Sequence, residues 1–170
     1  RILLRGKIGR VDVAELGDAL LGMVVDYKTT TDRRLDLTKV YHGLSLQLVG
    51  YLLALQQSGE SLTGRPIQPV AALYLPLLEP YESVSHPAET KKGGYRWRGV
   101  VDLAGPDALD ETARDAGKSA FLSAGVTKQG KPYKNSDLAE SDQLAGLMRH
   151  VGQRMGELAD ALLAGDISVS

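Results

Sequence analysis

The sequence predicts a mixed α/β domain that is built around a small central sheet. Three observations support this. Strand-like segments open the chain, an almost continuous apolar run of strand length lies near its middle, and two long segments carry apolar residues at helical spacing. The composition agrees, because 43% of the 170 residues are hydrophobic and 24% are charged, which is typical of a globular protein.

An antiparallel hairpin is predicted at the start of the chain. Residues 1–15 and 22–30 carry the β-branched and leucine residues that are typical of strands. Gly17 and Asp18 lie between them and are the expected turn residues. The two strands should therefore pair with each other directly.

A long helix is predicted after a polar loop. Asp36 or Thr38 is suited to the N-cap position, because short polar side chains accept hydrogen bonds from free backbone N–H groups. Apolar residues then recur at intervals of three and four as far as about Ser58. Gly59 is the predicted end of this helix.

The rest of the chain contains one buried strand, several shorter elements and a second long helix. The strand is predicted from an apolar run at 68–78 that prolines interrupt and end. The other predicted elements are a polar loop or hairpin at 81–98, a short strand or helix approach at 98–103, a short helix at 106–117, a turn-rich hairpin at 125–136 and the helix at 141–163. Gly165 is the predicted C-terminal cap glycine.

Charge and cysteine content narrow the function classes. The net charge of -1 means that any nucleic-acid affinity must come from local patches. The chain has no cysteine, which excludes disulfides and thiolate metal sites within it. We expect a cytoplasmic protein, since no signal peptide or membrane-length apolar run is visible. Because the chain opens on Arg1 in a strand-like segment and ends just after a helix, we also expect a fragment of a longer protein.

An acid and a lysine occupy neighbouring same-side positions at the end of the second predicted strand. Asp26 and Lys28 project from one face, because side chains alternate along a strand. A carboxylate can hold a divalent cation. A lysine can orient or deprotonate a water and stabilise charge on a phosphate. Taken alone, the pair is more typical of a solvent-exposed salt-bridged strand edge.

A glutamine and a tyrosine on the following helix add to this pair. Gln47 and Tyr51 are four residues apart and so share a helix face. Facing the strand, they could contact a phosphate or an attacking water. The alternative is an ordinary polar margin of an amphipathic helix.

Three stretches in this order carry a family resemblance: GKIGRVDV, VVDYKTT and YHGLSLQLVGYLLAL. They resemble the motifs of the PD-(D/E)XK nuclease superfamily, in its RecB-like branch, where G-x-x-D is followed by an apolar strand ending in D-x-K and by Q-x-x-x-Y on a helix. The resemblance is closest to the nuclease domain of AddB-type helicase–nuclease proteins and extends over nearly the whole chain. It implies that residues 1–170 form one domain with a restriction-endonuclease-like central mixed sheet flanked by helices.

The resemblance also implies roles for single residues. Asp26 would be a metal ligand, joined by the backbone carbonyl of Tyr27, and Lys28 would be the catalytic lysine. Gln47 and Tyr51 would support the site and touch the substrate strand. The implied activity is Mg²⁺- or Mn²⁺-dependent exonucleolytic hydrolysis of DNA in double-strand-break processing and recombinational repair, beside an AddA-like helicase–nuclease partner subunit.

The sequence departs from the family pattern at Gly9, which stands where the first metal-binding aspartate is expected. Asp12 should point to the opposite face of the strand and pair with Arg10, and Glu15 would lie about 20 Å further along. With one carboxylate lost, we expect weak or absent nuclease activity. The competing hypothesis is a catalytically inactive scaffold that binds DNA or a helicase partner subunit.

A third interpretation is a metal-independent α/β binding module. It requires Asp26 and Lys28 to lie far from Gln47 and Tyr51. Cysteines that hold an iron–sulfur cluster in AddB-type domains are absent from this chain, so no iron–sulfur cluster is expected in this fragment.

Basic residues near the presumed site are the expected DNA contacts. Arg10, Arg33 and Arg34 are the best placed. Residues 91–98, KKGGYRWR, interleave basic and aromatic side chains and could either bind a nucleic-acid strand or dock on another part of a larger protein. Among the histidines, His42 could approach the site, whereas His150 is expected to be structural or solvated.

Overall fold

The computed structural model describes residues 3–29, 34–78, 86, 96–105, 109–110, 119, 121–127 and 129–166. These residues form a five-stranded mixed sheet, in the order β1-β2-β3-β4-β5, with helices packed against it. The strands are β1 Arg10–Leu16, β2 Ala19–Lys28, β3 Ile67–Pro76, β4 Arg98–Asp102 and β5 Leu138–Ala139. The helices are α1 Leu37–Tyr41, α2 Gln47–Thr63 and α3 Ser141–Leu163. The predicted mixed α/β architecture is therefore confirmed.

The first two strands form the predicted hairpin. β1 is antiparallel to β2, and Leu16 pairs with Ala19 across the turn. Gly17 has a φ of 59°, a left-handed conformation that glycine adopts without steric cost. Residues 3–9 were expected to extend the first strand, but β1 begins only at Arg10.

The crossover from β2 to β3 contains two helices where one was predicted. Asp36 accepts hydrogen bonds from the backbone N–H groups of Thr38 and Lys39, at 2.9 and 3.2 Å, and so caps α1 as expected. The chain then turns at Gly43, whose φ of 78° is incompatible with a right-handed helix. The prediction of one continuous helix was therefore wrong.

The predicted end of the second helix was also wrong. α2 continues through Gly59 to Thr63 and ends at Gly64, whose φ is 74°. Gly59 is needed for close packing instead, because an added Cβ would lie 2.8 Å from the side chain of Ile67. The sequence signal of a glycine was correct in kind but belonged to the helix–sheet contact.

The later elements largely follow the prediction. β3 lies parallel to β2, and β4 is the short strand that one interpretation of 98–103 gave. Val126 pairs with Pro132 in the turn-rich region. α3 has the predicted bounds, and Gly165 adopts a φ of 78° just after its end. The predicted helix at 106–117 and the loop at 81–98 lie mostly outside the described residues.

Side chains on the two faces of β2 enter two separate cores. Val24 packs with α2 and α3 in the first core, whereas Val25 belongs to the second core on the other face. Burial on both faces explains the continuous apolar run before Asp26. It also fixes the end of β2 firmly in the sheet. In the described part of the chain, no helix is long and apolar enough to cross a membrane.

Candidate functional site

The two polar residues at the end of β2 face the helices. Asp26 and Lys28 follow Val24 on the side of the first core, and the Lys28 Nζ lies 2.8 Å from Asp26 Oδ2. Their side chains are 16% and 29% exposed for Asp26 and Lys28 respectively. The ammonium also lies 5.0 Å from the ring centroid of Tyr74, which is buried on the neighbouring strand β3. The pair is thus partly enclosed and is not the solvent-exposed strand edge of the alternative interpretation.

The charges of this pair are coupled. The Asp26 carboxylate raises the pKa of Lys28 above its usual range, against the opposing effect of burial. Asp26 Oδ2 is itself buried and, apart from the nearby ammonium, meets no hydrogen-bond donor among the described residues. Lys28 therefore carries its proton at neutral pH, and one carboxylate oxygen keeps an unused acceptor position.

Gln47 and Tyr51 lie on the first turns of α2 and are directly bonded. Gln47 Nε2 donates a hydrogen bond of 2.8 Å to the Tyr51 hydroxyl. Tyr51 is also one of the groups that raise the pKa of Lys28, which requires it to be close to the ammonium. The four side chains are therefore neighbours, and the binding-module interpretation, which needed them far apart, is disfavoured.

The donor set suits an oxygen-preferring cation but is sparse. Asp26 offers a buried carboxylate oxygen, and hard cations prefer such ligands. No cluster of three or more His, Cys, Asp or Glu that could hold a metal occurs in the described residues. The residues present fit a cation that keeps most of its ligands as water, with one carboxylate where the family pattern predicts two.

Gly9 lies just before β1, close to the end of β2. Arg10 pairs with Val25, so extending the register by one residue would place Gly9 opposite Asp26. However, an ideal Cβ at Gly9 would lie 3.1 Å from Tyr27 Cδ2 and 3.1 Å from the Val25 carbonyl oxygen. In this backbone conformation, a side chain at residue 9 would therefore first meet the Tyr27 ring.

The other acids of β1 cannot replace the missing carboxylate. Asp12 bonds to Arg10 Nε at 2.7 Å, as expected, and pairs with Met23 on the face of the second core. Glu15 lies near the far end of β1 and binds Arg65 at 2.8 Å. Both acids are thus committed to partners away from Asp26.

The expected DNA-contacting residues have mixed placements. Arg10 has a half-exposed side chain and its guanidinium lies 5.5 Å from the centroid of the Trp97 ring. Arg34 is exposed, whereas Arg33 lies outside the described residues. Lys91, Lys92 and Tyr95 also lie outside them.

Two residues of the basic and aromatic segment have structural partners. Arg98 donates to both carboxylate oxygens of Asp137, at 2.8 and 2.9 Å, so its charge is not free for a phosphate. Trp97 packs on Phe121 with ring centroids 5.4 Å apart. The expectation that these two bind nucleic acid is corrected: they join β4 to its neighbours.

The histidines contact Tyr41 on α1. His150 stacks on the Tyr41 ring at 5.2 Å and lies 3.1 Å from its carbonyl oxygen, which confirms a structural position on α3. His42 follows α1 and meets the same ring edge-on at 5.2 Å. His86 is exposed.

Comparison with known proteins agrees with this architecture. A family model described as the PD-(D/E)XK nuclease superfamily matches residues 1–169. An ATP-dependent helicase/deoxyribonuclease subunit of the AddB type from Symbiobacterium thermophilum is 34% identical over 100% of this chain. The proteins of the same name from Bacillus licheniformis and Geobacillus kaustophilus are 33% and 31% identical, each over 98% of the chain. The chain spans 15% of the length of each of these relatives. The restriction-endonuclease-like mixed sheet with flanking helices is confirmed.

Proposed function

Because the chain belongs to the PD-(D/E)XK nuclease superfamily, we propose that it hydrolyses DNA phosphodiester bonds with the help of Mg²⁺ or Mn²⁺. The observation that carries this proposal is the meeting of Asp26 and Lys28 with Tyr51 beneath the first turns of α2. A buried acid, a protonated lysine and a hydroxyl at one strand end are the groups that phosphodiester hydrolysis needs.

Asp26 is the proposed cation ligand, together with the backbone carbonyl of Tyr27. A bound divalent cation would supply charge for the phosphate and lower the pKa of a water. Lys28 then acts through its positive charge and not as a base, because a lysine whose pKa is raised has no free pair for a proton at neutral pH. It would hold the attacking water and offset charge on the phosphate.

Tyr51 is the proposed contact to the substrate strand. Its oxygen already accepts the hydrogen bond from Gln47 Nε2, so its own proton is free to donate outward. A phosphate oxygen is a suitable acceptor. Gln47 thereby positions Tyr51, and the backbone of the substrate would be held close to Asp26.

The relatives suggest where such a reaction takes place. Their name, which is that of an ATP-dependent helicase/deoxyribonuclease subunit, describes proteins that are much longer than this chain. We infer that this domain works as the nuclease part of a helicase–nuclease with an AddA-like partner, on the ends of double-strand breaks. A helicase partner would deliver a separated strand to the site.

A second function is favoured by Gly9. Without a carboxylate at that position, the site has one acid for the cation and is expected to cleave weakly or not at all. The domain would then be a PD-(D/E)XK scaffold that binds DNA or a partner subunit.

The test is degradation of end-labelled linear DNA by the chain in Mg²⁺ or Mn²⁺. We expect Asp26→Asn and Lys28→Ala to lower the rate by roughly 100-fold, the usual effect of losing one charge-stabilising group. Lys134→Ala, at an exposed lysine, is the matched control and should keep the full rate. Activity that survives both site variants would reject the nuclease proposal, and no activity in any form would favour the scaffold.

A further inference from the structure

A cavity of about 370 Å³ adjoins the proposed catalytic residues. It lies between the segment that precedes β1 and the outer sides of α2 and α3. Its walls are mainly apolar, with three polar side chains. The lining residues used below are Arg5, Leu46, Gln47, Tyr51, Ala54 and Met155.

The cavity and the catalytic group share two residues. Gln47 and Tyr51 line the cavity, and Tyr51 also interacts with Lys28. Gly6 closes the cavity on the other side of the tyrosine, because a Cβ added there would lie 3.3 Å from Tyr51 Cε1. A substrate strand whose phosphate meets Lys28 would therefore have its adjoining nucleoside beside this opening.

The chemistry of the walls fits a flat heteroaromatic ring. The Tyr51 ring and the Met155 thioether offer polarisable surfaces for stacking. Gln47 uses its Nε2 for Tyr51, so its Oε1 remains as an acceptor for an amino or imino group of a base. Arg5 adds a positive charge at the cavity for a flanking phosphate. The volume is within the range of small-ligand sites.

We propose that this cavity binds the nucleobase next to the scissile phosphate. The proposal rests on the proposed function for the position of the strand, and it adds a base-binding subsite to the phosphate-binding residues. The occupant is a base of an unpaired strand, since a base within a duplex cannot leave its stack without loss of pairing. A neighbouring protein side chain is the competing occupant.

The experiment measures the binding of fluorescently labelled twelve-nucleotide oligothymidylates by anisotropy, in EDTA so that no cleavage occurs. One oligonucleotide is intact, and a set carries a single abasic residue that is moved along the strand. The variant is Ala54→Leu, which narrows the cavity from an exposed position on α2. Ser58→Leu, one turn further along and outside the cavity, is the matched control. Circular dichroism checks that both remain folded.

We expect one abasic position to weaken binding to the chain about five- to tenfold, the effect of losing one stacked base. Ala54→Leu should bind the intact strand that much more weakly and no longer distinguish the abasic position, whereas Ser58→Leu should behave like the unmodified chain. Equal binding of all strands by the unmodified chain, or an unchanged preference in Ala54→Leu, would overturn the subsite and favour a protein occupant. Because binding is measured without hydrolysis, a base preference that persists in a chain lacking cleavage would reject only the nuclease activity.

Discussion

Gly9 lies directly against the ring of Tyr27 at the junction of β1 and β2. A Cβ at residue 9 would come within 3.1 Å of both Tyr27 Cδ2 and the Val25 carbonyl oxygen. Ordinary van der Waals contacts of a Cβ begin at 3.4 Å. The lack of a side chain at residue 9 therefore has a local packing consequence, whatever its consequence for metal binding.

Gly9→Ala should destabilise the domain by about 1 kcal/mol, because the added methyl overpacks this contact. Urea unfolding measures the change. In a Tyr27→Ala background the cost should fall, since only the Val25 carbonyl remains close. Gly156→Ala is the control: that site on α3 has no atom within 4 Å among the described residues, and the change should stabilise the helix by about 0.5–1 kcal/mol. An equal cost of Gly9→Ala with and without Tyr27 would contradict this packing account.

Gly9→Asp should increase cation affinity if residue 9 is the lost ligand position. The gain requires β1 to extend by one residue, so that the new carboxylate stands opposite Asp26. We expect Mn²⁺ to bind about tenfold more tightly, measured by calorimetry, because a second carboxylate reduces the reliance on water ligands. Gly9→Asn has the same shape without the charge, so the comparison removes the steric cost. Equal affinity of the two variants would show that the missing acid belongs elsewhere.

The local elements were predictable from sequence because their signals are local. The hairpin turn at Gly17 and the helix at Ser141–Leu163 depend on neighbouring residues and on spacing along the chain. The break at Gly43 was not predicted, because apolar spacing continues across it and conceals the glycine's left-handed turn. The end of α2 was misplaced because Gly59 packs against Ile67, a contact that only the folded chain brings together.

The candidate site divides in the same way. Asp26 and Lys28 were recognisable from strand alternation, and Gln47 and Tyr51 from helical spacing. The buried Tyr74 beneath the Lys28 ammonium was missed, because it belongs to a parallel strand reached only after two helices. Residues that converge through tertiary contacts leave no spacing pattern in the sequence.

Arg98 and Asp137 were another missed pair, and its loss should be costly. The two side chains are 18% and 12% exposed, and Asp137 also accepts from the Gly99 N–H at 3.0 Å. Asp137→Ala would leave a mostly buried guanidinium and a backbone donor without this acceptor. We expect the free energy of unfolding to fall by about 3 kcal/mol, measured in urea.

The exposed pair of Arg65 and Glu15 provides the comparison. The Glu15 side chain is 72% exposed, so Glu15→Ala should cost less than about 1 kcal/mol. If Asp137→Ala costs no more than Glu15→Ala, the Arg98 pair does not hold β4 to the segment before β5.

The Lys28–Asp26 pair predicts a pH dependence in the alkaline range. Since the folded-state pKa of Lys28 is raised above 10.5, the folded chain binds this proton more tightly than the unfolded chain does. The resulting stability is fully present below pH 10.5 and is lost as the pH rises through the folded-state pKa. Lys28→Met removes this contribution, so its unfolding free energy should decline less steeply above pH 10 than that of the unmodified chain. Urea unfolding from pH 8 to 11.5 measures both slopes, with Lys134→Met as an exposed lysine control that keeps the steeper one. Parallel curves for Lys28→Met and the unmodified chain would mean that the ammonium gains nothing from Asp26 on folding.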